Sequence, residues 1–437
     1  MKSFIRLVGA LIVLAAGVNG HAATPLDTQD YDLFFGDFNG DGKTDVLYVA
    51  KNPANASGIN LSDGTGPNIP WQSWPSNFQN ITWSTSQYNI IVADFNGDGK
   101  ADIFLQSIAP GQYSYLLITD TTGHVVSAIQ QLAYNALGAT LQWTADQHHL
   151  VAGDFNGDGR ADLLLQATSP TGVNAIVTAN ADGTLTVVSQ SWSDNYLGFK
   201  WATSEANVFA GDFNGDGYAD LLIQAKPTWV MIDYDVPFPV PTFSPTANGF
   251  IPSHGGTQPF TLAGVQSWGR MSDGVDWSPL TNTIIVGKLT GSVQADVILQ
   301  GLHSGQTSAE LKGSISGAIF GTGISLANNV TWTADSNRLY VANFSGSSPG
   351  LYLQAVSPTG TNYYVTGISN SVASVTTPSS PVANEMLVYT YDALGRLATA
   401  SHTGAVNNGV LAGYSYDSAG NRTNVTVTGS PNSTQPP

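Results

Sequence analysis

The 437-residue chain contains no cysteine, and only 10% of its residues are charged. Without cysteine it can form no disulfide bond and has no thiol nucleophile. It has only 14 Lys and Arg against 31 Asp and Glu, and the formal charge of −17 argues against nucleic acid or an anionic membrane as a partner. No apolar run approaches the about 20 residues that a membrane-spanning helix needs.

The sequence also lacks the common catalytic signatures. It has no HExxH zinc motif, no P-loop and no Rossmann fingerprint. Its one histidine cluster is His148-His149, and neighbouring residues of a strand point to opposite faces of a sheet, so these two cannot share a metal. We therefore predict a protein that is not an enzyme.

What the chain has in quantity is glycine, 47 residues, together with 22 prolines. One stretch, DFNGDGKTD at 37–45, occurs four times in similar form, starting again at Asp94, Asp154 and Asp212. Oxygen-bearing side chains occupy its positions 1, 3, 5 and 9, and glycine occupies positions 4 and 6. A hard cation such as Ca²⁺ takes about six to eight oxygen ligands, and glycines allow the sharp turn that brings such ligands together.

We therefore predict up to four structural Ca²⁺ sites, each made by the side chains at positions 1, 3, 5 and 9 and the backbone carbonyl of position 7. The predicted ligands are Asp37, Asn39, Asp41, Lys43 and Asp45; Asp94, Asn96, Asp98, Lys100 and Asp102; Asp154, Asn156, Asp158, Arg160 and Asp162; and Asp212, Asn214, Asp216, Tyr218 and Asp220. Position 12, where an EF-hand carries a bidentate Glu, holds Tyr48, Leu105, Leu165 and Ile223, so we expect weak sites with a Kd of about 10⁻⁴–10⁻³ M. The alternative is a plain Asp/Asn/Gly turn, which four copies in register disfavour.

The loops mark a repeat of 57 to 60 residues, and a Trp stands 11 residues before the second, third and fourth loops. The same Trp spacing identifies two further units, with Trp277 before Lys288 and Trp332 before Asn343. Their loops, KLTGSVQAD and NFSGSSPG, have lost most of the acidic positions. We expect these two units to fold like the others and to bind no calcium.

Each of the six units contains four short strand-like segments, for example 89–94, 102–107, 113–119 and 124–130. Six repeats of four strands predict an all-β protein, a six-bladed β-propeller over residues 28–375. We expect the strand near 31–36 to close the ring by pairing with the end of the last blade near 375. A Pro-rich insertion, roughly 234–259, is predicted as a loop over one face.

A second set of aromatic residues lies nine residues before the next marker Trp. Trp74, Trp192 and Trp268 each end a Gln-Ser-Trp triplet, and Tyr134 takes that place in the second unit. Recurrence once per blade favours packing between blades, whereas exposure would favour a ring of stacking platforms for sugars. Both alternatives stay open at this point.

The ends of the chain have different predicted roles. Residues 1–22 predict a signal peptide, with Lys2 and Arg6 before a 12-residue apolar run, and therefore a secreted or cell-surface protein. Residues 376–385 predict a linker, and 429–437 a disordered tail. Between them, 386–428 holds two similar motifs, YDALGRL at 391–397 and YDSAGNR at 416–422, each predicted as a strand that ends in a turn.

The DFNGDGxxD loops and their strand flanks resemble the FG-GAP/VCBS repeats of integrin α-type propellers and bacterial surface proteins. That resemblance implies structural Ca²⁺ on one face of the propeller, in a family that covers adhesion, glycan binding and accessory domains of lyases and toxins. The two YD motifs resemble the YD repeats of Rhs proteins, teneurins and Tc toxins.

These resemblances give three functional hypotheses. The first is an exported module that binds an extracellular protein or glycan. The second is an assembly component of an Rhs/Tc-like toxin, with further Rhs/YD-repeat polypeptide as its partner. The third is a polysaccharide-acting enzyme on a propeller scaffold. The resemblance to a fold does not choose among them.

Overall fold

The computed structural model describes residues 28–133, 135–138, 141–230, 240–242, 248–272, 274–289, 293–314, 324–325, 331–357, 360–369 and 372–376, and the strands within 386–428. Every regular element among these residues is a β-strand. The predicted signal peptide, tail and YD turns lie outside the described residues, as does the predicted linker except Thr376, which is the last residue of a strand. The chain divides into two compact units, Leu26–Pro381 and one that includes Val382–Pro437, and each is described by itself.

The first unit contains six four-stranded antiparallel sheets, which are the blades, and small two-stranded hairpins that follow some of them. Blade 1 consists of β1 (Tyr31–Gly36), β2 (Asp45–Ala50), β3 (Ser57–Leu61) and β4 (Ile69–Trp74), followed by the hairpin β5 (Asn77–Phe78) and β6 (Ile81–Thr82). Blade 2 consists of β7 (Tyr88–Ala93), β8 (Asp102–Ser107), β9 (Ser114–Thr119) and β10 (Val125–Leu132). Blade 3 consists of β11 (His148–Gly153), β12 (Asp162–Ala167), β13 (Asn174–Ala179) and β14 (Leu185–Trp192), followed by the hairpin β15 (Asn195–Tyr196) and β16 (Phe199–Lys200).

The remaining blades follow the same plan with one interruption. Blade 4 consists of β17 (Ala206–Gly211), β18 (Asp220–Ala225), β21 (Asn248–Ile251) and β22 (Gln266–Trp268), with the hairpin β19 (Thr228–Val230) and β20 (Val240–Thr242) inserted after its second strand. The hairpin β23 (Met271–Ser272) and β24 (Val275–Asp276) precedes blade 5, which consists of β25 (Asn282–Gly287), β26 (Asp296–Gly301), β27 (Ala309–Leu311) and β28 (Ile324–Ser325). Blade 6 consists of β29 (Asn337–Ala342), β30 (Gly350–Ala355), β31 (Tyr363–Ser369) and β32 (Val372–Thr376).

The first strand of each blade contacts the first strands of the two neighbouring blades, and β29 of blade 6 contacts β1 of blade 1. These contacts form a closed ring of six. The predicted all-β, six-bladed propeller is therefore confirmed, with the strands of blade 2 within two residues of their predicted bounds.

The predicted way of closing the ring is wrong. The strand β1 pairs with β2 of its own blade, and β32 pairs with β31, so the first and last blades are each built from the four strands of one repeat. Closure instead uses bonds across the last seam: the Thr44 amide donates to the Asn343 carbonyl at 2.9 Å, and the Ser62 hydroxyl donates to the Phe344 carbonyl at 2.7 Å. Because the chain enters at an inner strand, the first repeat already has all four strands of its blade.

Aromatic side chains fill the seams between blades. The five marker tryptophans lie in five successive seam clusters and are at most 5% exposed: Trp83, Trp143, Trp201, Trp277 and Trp332. The sixth seam, between blades 6 and 1, is filled by Tyr and Phe side chains, with the rings of Phe35 and Tyr340 4.6 Å apart. Burial of such rings, together with the aliphatic side chains of the same clusters, holds neighbouring blades together.

The insertion in blade 4 is shorter than predicted. Residues 248–251 form the third blade strand β21, so only the stretch between β18 and β21 interrupts the blade. The Asn248 side chain accepts a hydrogen bond from the Ala225 amide at 2.9 Å. Asn174 does the same for Ala167 in blade 3, at 2.8 Å, where the two residues are seven apart. Asn248 thus begins the third strand of blade 4 in the same way as Asn174 begins that of blade 3. The prediction from composition had placed this strand inside the insertion.

The second unit contains one four-stranded antiparallel sheet in sequential order. Its strands are β33 (Met386–Tyr391), β34 (Leu397–Thr403), β35 (Val410–Tyr416) and β36 (Arg422–Thr428). Tyr391 and Tyr416 are the last residues of β33 and β35, so the two YD motifs occupy corresponding places. Their assignment to the YD repeats of Rhs proteins stays a prediction.

Candidate functional site: the DFNGDG loops

The four DFNGDG loops connect the first and second strands of blades 1 to 4. Their glycines at positions 4 and 6 all have positive φ angles, for example 75° at Gly40 and 80° at Gly42. A side chain is strained in this left-handed region, so the turn requires glycine at both places. The positive φ angles therefore agree with the prediction that these glycines allow a sharp turn.

The position-1 aspartate organises each loop by accepting backbone hydrogen bonds. In the first loop Asp37 Oδ1 accepts from the amides of Gly40 (2.7 Å) and Asp41 (3.1 Å), and Oδ2 accepts from Gly42 (2.7 Å). Asn39 Oδ1 accepts from the Asp41 amide at 3.0 Å. The other three loops repeat these four bonds.

The position-9 aspartate lies beneath the loop and is fully buried. Asp45 Oδ2 accepts from the Phe38 amide (3.0 Å), and Oδ1 accepts from the Ser62 amide (2.8 Å), which joins the loop to the end of the third strand. Burial raises the pKa of Asp45 to about 6, and the neighbouring Asp37 and Asp41 carboxylates add to this rise, while the two amide bonds oppose it. Burial likewise raises the pKa of the corresponding Asp102, Asp162 and Asp220 to about 7.

Position 7 carries a cation in the first three loops, and this cation pairs with the carboxylate at position 5. Lys43 Nζ lies 2.7 Å from Asp41 Oδ2, Lys100 Nζ lies 3.2 Å from Asp98 Oδ2, and Arg160 contacts Asp158. The fourth loop has Tyr218 at position 7, and Asp216 Oδ2 accepts from the Asn214 amide group at 2.9 Å instead. Of the four loops, the fourth therefore has no Lys or Arg side chain that would compete with Ca²⁺ for the position-5 carboxylate.

The chemistry of the loop oxygens fits a hard cation, since each loop offers three carboxylates, one amide oxygen and a backbone carbonyl. In this structure those side chains accept amide hydrogens of the turn. Within the described part of the chain, no group of three acidic or histidine side chains is arranged as metal ligands. Calcium at the predicted positions thus stays a prediction.

Neighbouring loops are also bonded to each other, a feature that sequence reasoning missed. The amide at position 8 donates to the position-1 carbonyl of the preceding loop: Ala101 to Asp37 (2.7 Å), Ala161 to Asp94 (2.7 Å), Ala219 to Asp154 (2.8 Å) and Ala295 to Asp212 (2.6 Å). The Thr44 amide makes the same bond to Asn343 in blade 6. The loop of blade 6 has Pro349 directly before β30, and proline has no amide hydrogen to donate toward blade 5.

The Gln one residue before the end of the second strand bridges to the next blade in blades 2 to 5. Gln166 Nε2 donates to the carbonyls of Trp201 (2.7 Å) and Ala206 (3.1 Å), and Gln300 bonds the corresponding Trp332 and Asn337 carbonyls. The recurrence of this Gln was visible in the sequence, but its partner lies in another repeat. Only the folded ring shows the contact.

The second set of aromatic residues lies in the seams. Trp74, Trp192 and Trp268 are 2%, 6% and 8% exposed and pack edge-on against the marker tryptophans, with ring centroids 4.8 to 5.1 Å apart. Their burial favours packing over stacking of sugars. Tyr134 lies outside the described residues, and in blade 2 the register position of Trp74 belongs to Leu132, which pairs with Ser114 as Trp74 pairs with Ser57.

The two adjacent histidines of β11 point to different environments, as predicted. His148 is 2% exposed, and its ring nitrogens lie 2.7 Å from the Gln142 carbonyl and 2.9 Å from the Val173 carbonyl. Burial lowers its pKa. His149 is exposed. Among the described residues, no helix is long and apolar enough to cross a membrane.

Known proteins match the chain at the level of repeat and fold. The model of the FG-GAP-like repeat matches residues 23–105 and 154–223. The first range contains the first and second DFNGDG loops, and the second range contains the third and fourth. No curated protein matches the sequence.

Among solved structures, a lectin from Agrocybe aegerita that recognises non-reducing terminal N-acetylglucosamine matches with a TM-score of 0.51 and 18% identity, over 80% of each chain. The V. cholerae biofilm matrix protein Bap1 matches with a TM-score of 0.30 and 16% identity, over 91% of this chain and 60% of that one. The Pseudomonas aeruginosa PilY1 C-terminal domain matches with a TM-score of 0.26 and 10% identity, over 89% of this chain and 93% of that one. The repeats and the closed ring of blades together show that this chain contains FG-GAP-like repeats in a six-bladed β-propeller.

Proposed function

We propose that the chain is an exported, non-enzymatic, calcium-binding propeller that acts as a surface ligand-binding module, with a glycan as the favoured ligand and a protein as the alternative. The observation that supports this most is the closed six-bladed scaffold, which the chain shares with a lectin. A rigid ring of blades holds surface side chains in fixed positions, which lowers the entropy cost of binding.

Binding of the full chain to an immobilised panel of neutral and acidic oligosaccharides, in millimolar Ca²⁺, tests the ligand. Retention of a defined set of glycans, released by the same free sugar, is the expected result. Absence of retention by every glycan would overturn the glycan form of the proposal, and cleavage of a polysaccharide would overturn the non-enzymatic form.

The calcium part of the proposal predicts a stability difference. Asp154→Ala removes a position-1 carboxylate, so the rise in melting temperature between chelator and Ca²⁺ should be smaller than in the parent chain. At a Ca²⁺ concentration 100 times Kd, one site contributes about 2.7 kcal/mol.

The matched control is Asn343→Ala, which changes position 1 of the blade 6 loop, where the sequence predicts no calcium. Its Ca²⁺-dependent rise should equal that of the parent. Equal melting temperatures of the parent chain in Ca²⁺ and in chelator would show that the ions are not structural.

A second candidate function, assembly with further YD-repeat polypeptide, is supported by the second unit. Its two YD motifs end β33 and β35 of one regular sheet, so another pair of strands could continue the same pattern. Co-purification of the chain with a YD-repeat polypeptide encoded beside it would support this function. Separate elution of the two in gel filtration would contradict it.

A further inference from the structure

Trp71 and His124 form a partly exposed aromatic pair on the outer wall of the propeller. Trp71 on β4 of blade 1 stacks on His124 of blade 2, with ring centroids 4.6 Å apart and an interplanar angle of 31°. Trp71 is 37% exposed, whereas the other eight tryptophans whose side chains the structure describes are at most 8% exposed. Exposure therefore distinguishes this indole from those that fill the seams.

The backbone that supports this pair is repeated in other seams, but the pair is not. Gln72, next to Trp71, exchanges two hydrogen bonds of 2.8 Å with the backbone of Val125, next to His124. The same two-bond clasp joins Gln130 to Leu185 and Gln190 to Phe260 in the following two seams. There the residues before the clasp are Ile129 with Thr184, and Ser189 with Pro259. The two-bond clasp is therefore common to these three seams, whereas the aromatic pair occurs in the first of them.

The His124 ring is held in one orientation by its own turn. The Thr122 hydroxyl donates its hydrogen to Asp120 Oδ1 at 2.6 Å, so at the 2.7 Å contact with His124 Nδ1 the ring nitrogen is the donor. This contact engages Nδ1 and leaves Nε2 as the second polar atom of the ring. The Thr122 hydroxyl also holds the pKa of Asp120 below its usual range, so this carboxylate remains an acceptor. The turn thus offers two acceptors beside an apolar ring face.

We propose that Trp71, His124 and Asp120 form a carbohydrate-binding site for a neutral pyranose, at the outer seam between blades 1 and 2. The apolar C–H face of the sugar packs on the indole, and its hydroxyls donate to His124 Nε2 and to the Asp120 carboxylate. The Asp120 carboxylate and the formal charge of −17 disfavour a uronate or a sulfated sugar. This site rests on the proposed function of a glycan-binding module and names where the glycan binds.

Hydrogen bonds hold the residues of this site in place before a ligand binds. The Gln72–Val125 clasp fixes the two blades at this point, and the turn from Asp120 to His124 is closed by the His124 amide bond to Asp120 Oδ1 at 3.0 Å. Little ordering is left for the ligand to bring about.

The test compares three variants of the full chain on an immobilised panel of glucose-, galactose-, mannose- and glucuronate-terminated oligosaccharides. Trp71→Ala should weaken binding of the retained neutral glycans about tenfold or more, and Trp71→Phe, which keeps an aromatic face, should recover part of that loss. The matched control Ile129→Ala changes the same register position one blade further on, at a side chain that is 43% exposed, and should bind like the parent. Equal melting temperatures of all variants show that they fold alike.

The outcomes separate the site from the function. If the parent chain binds neutral glycans and Trp71→Ala binds them equally well, this site is overturned and the proposed function stands. If only glucuronate-terminated glycans are retained, the neutral sugar class is overturned. If the parent chain binds no glycan, the glycan function itself fails.

Discussion

A buried carboxylate occupies an apolar position in blade 5. Glu310 is 1% exposed, and neither oxygen of its carboxyl group has a hydrogen-bond partner. It pairs across the sheet with Ile298, as Ile59, Leu116, Ile176 and Phe250 pair with their neighbours in blades 1 to 4. Burial raises the pKa of Glu310 to about 7, with Asp296 adding to the rise and Lys312 opposing it.

This pKa predicts the pH dependence of stability. The folded chain keeps Glu310 protonated up to about pH 7, while the unfolded chain loses that proton near the ordinary glutamate pKa of 4.5, so stability falls as pH rises between these values. Each pKa unit corresponds to about 1.4 kcal/mol. Glu310→Leu should raise the melting temperature more at pH 8 than at pH 4.

Glu310→Gln is the polar control, because it removes the titrating carboxyl group without adding apolar packing. Its melting temperature should depend less on pH than that of the parent chain. Thermal melts of the parent and both variants between pH 4 and pH 8 measure the effect. A parent profile that Glu310→Leu leaves unchanged in shape would contradict the assignment.

Two glycines of the third loop separate backbone strain from contact between loops. A Cβ at Gly157 would lie 1.9 Å from Tyr218 of the next loop, whereas one at Gly159 would meet nothing within 4 Å, and their φ angles are 79° and 81°. Both substitutions to Ala carry the left-handed cost of about 1–2 kcal/mol. Gly157→Ala should therefore destabilise the protein more than Gly159→Ala in urea unfolding, and equal losses would show that the loops do not interlock.

At the scale of strands, the repeat predicted the elements but not their partners. The predicted segment 89–94 is the strand Tyr88–Ala93, because alternating β-branched and apolar residues between turn residues define a strand locally. The predicted end of the insertion and the predicted pairing at the ring closure were wrong, because both depend on contacts between residues distant in sequence. Asn248, for example, is recognised as a strand cap only by its bond to Ala225.

The Gln bridges between blades give an element-scale prediction. Gln166→Leu leaves the buried Trp201 and Ala206 carbonyls without the donor that Gln166 supplies, and such a loss costs about 1–3 kcal/mol. The exposed Gln147, whose side-chain amide donates to the neighbouring Asp146 carboxylate, provides the control Gln147→Ala with little expected change. Urea unfolding measures both, and a Gln166→Leu loss no larger than the control would contradict the bridging role.

At the scale of the whole propeller, the seam between blades 5 and 6 combines several weak features. The third strand of blade 5 is short, Ala309–Leu311, and Glu310 on this strand pairs with Ile298, which packs in this seam. Pro349 also removes the amide that would link the loop of blade 6 to that of blade 5. We expect this seam to open before the others.

Native-state hydrogen exchange tests that expectation. Amides of β30 in blade 6 should exchange faster than those of the corresponding β18 in blade 4, because local opening precedes global unfolding where packing and hydrogen bonding are weakest. Glu310→Leu should slow exchange in β30 and leave β18 unchanged. Uniform protection of all six blades would contradict a weak seam.

The sequence by itself determined the number of blades, their strands and the four glycine turns, because these follow from local patterns that the repeat copies. Tertiary structure alone decided which side chains meet: the bonds between successive loops, the Gln bridges and the exposed Trp71–His124 pair all join different repeats. A repeat pattern shows what its units share, whereas a site depends on how one unit differs from its neighbours once they are packed together. The candidate glycan site is therefore visible only in the folded ring.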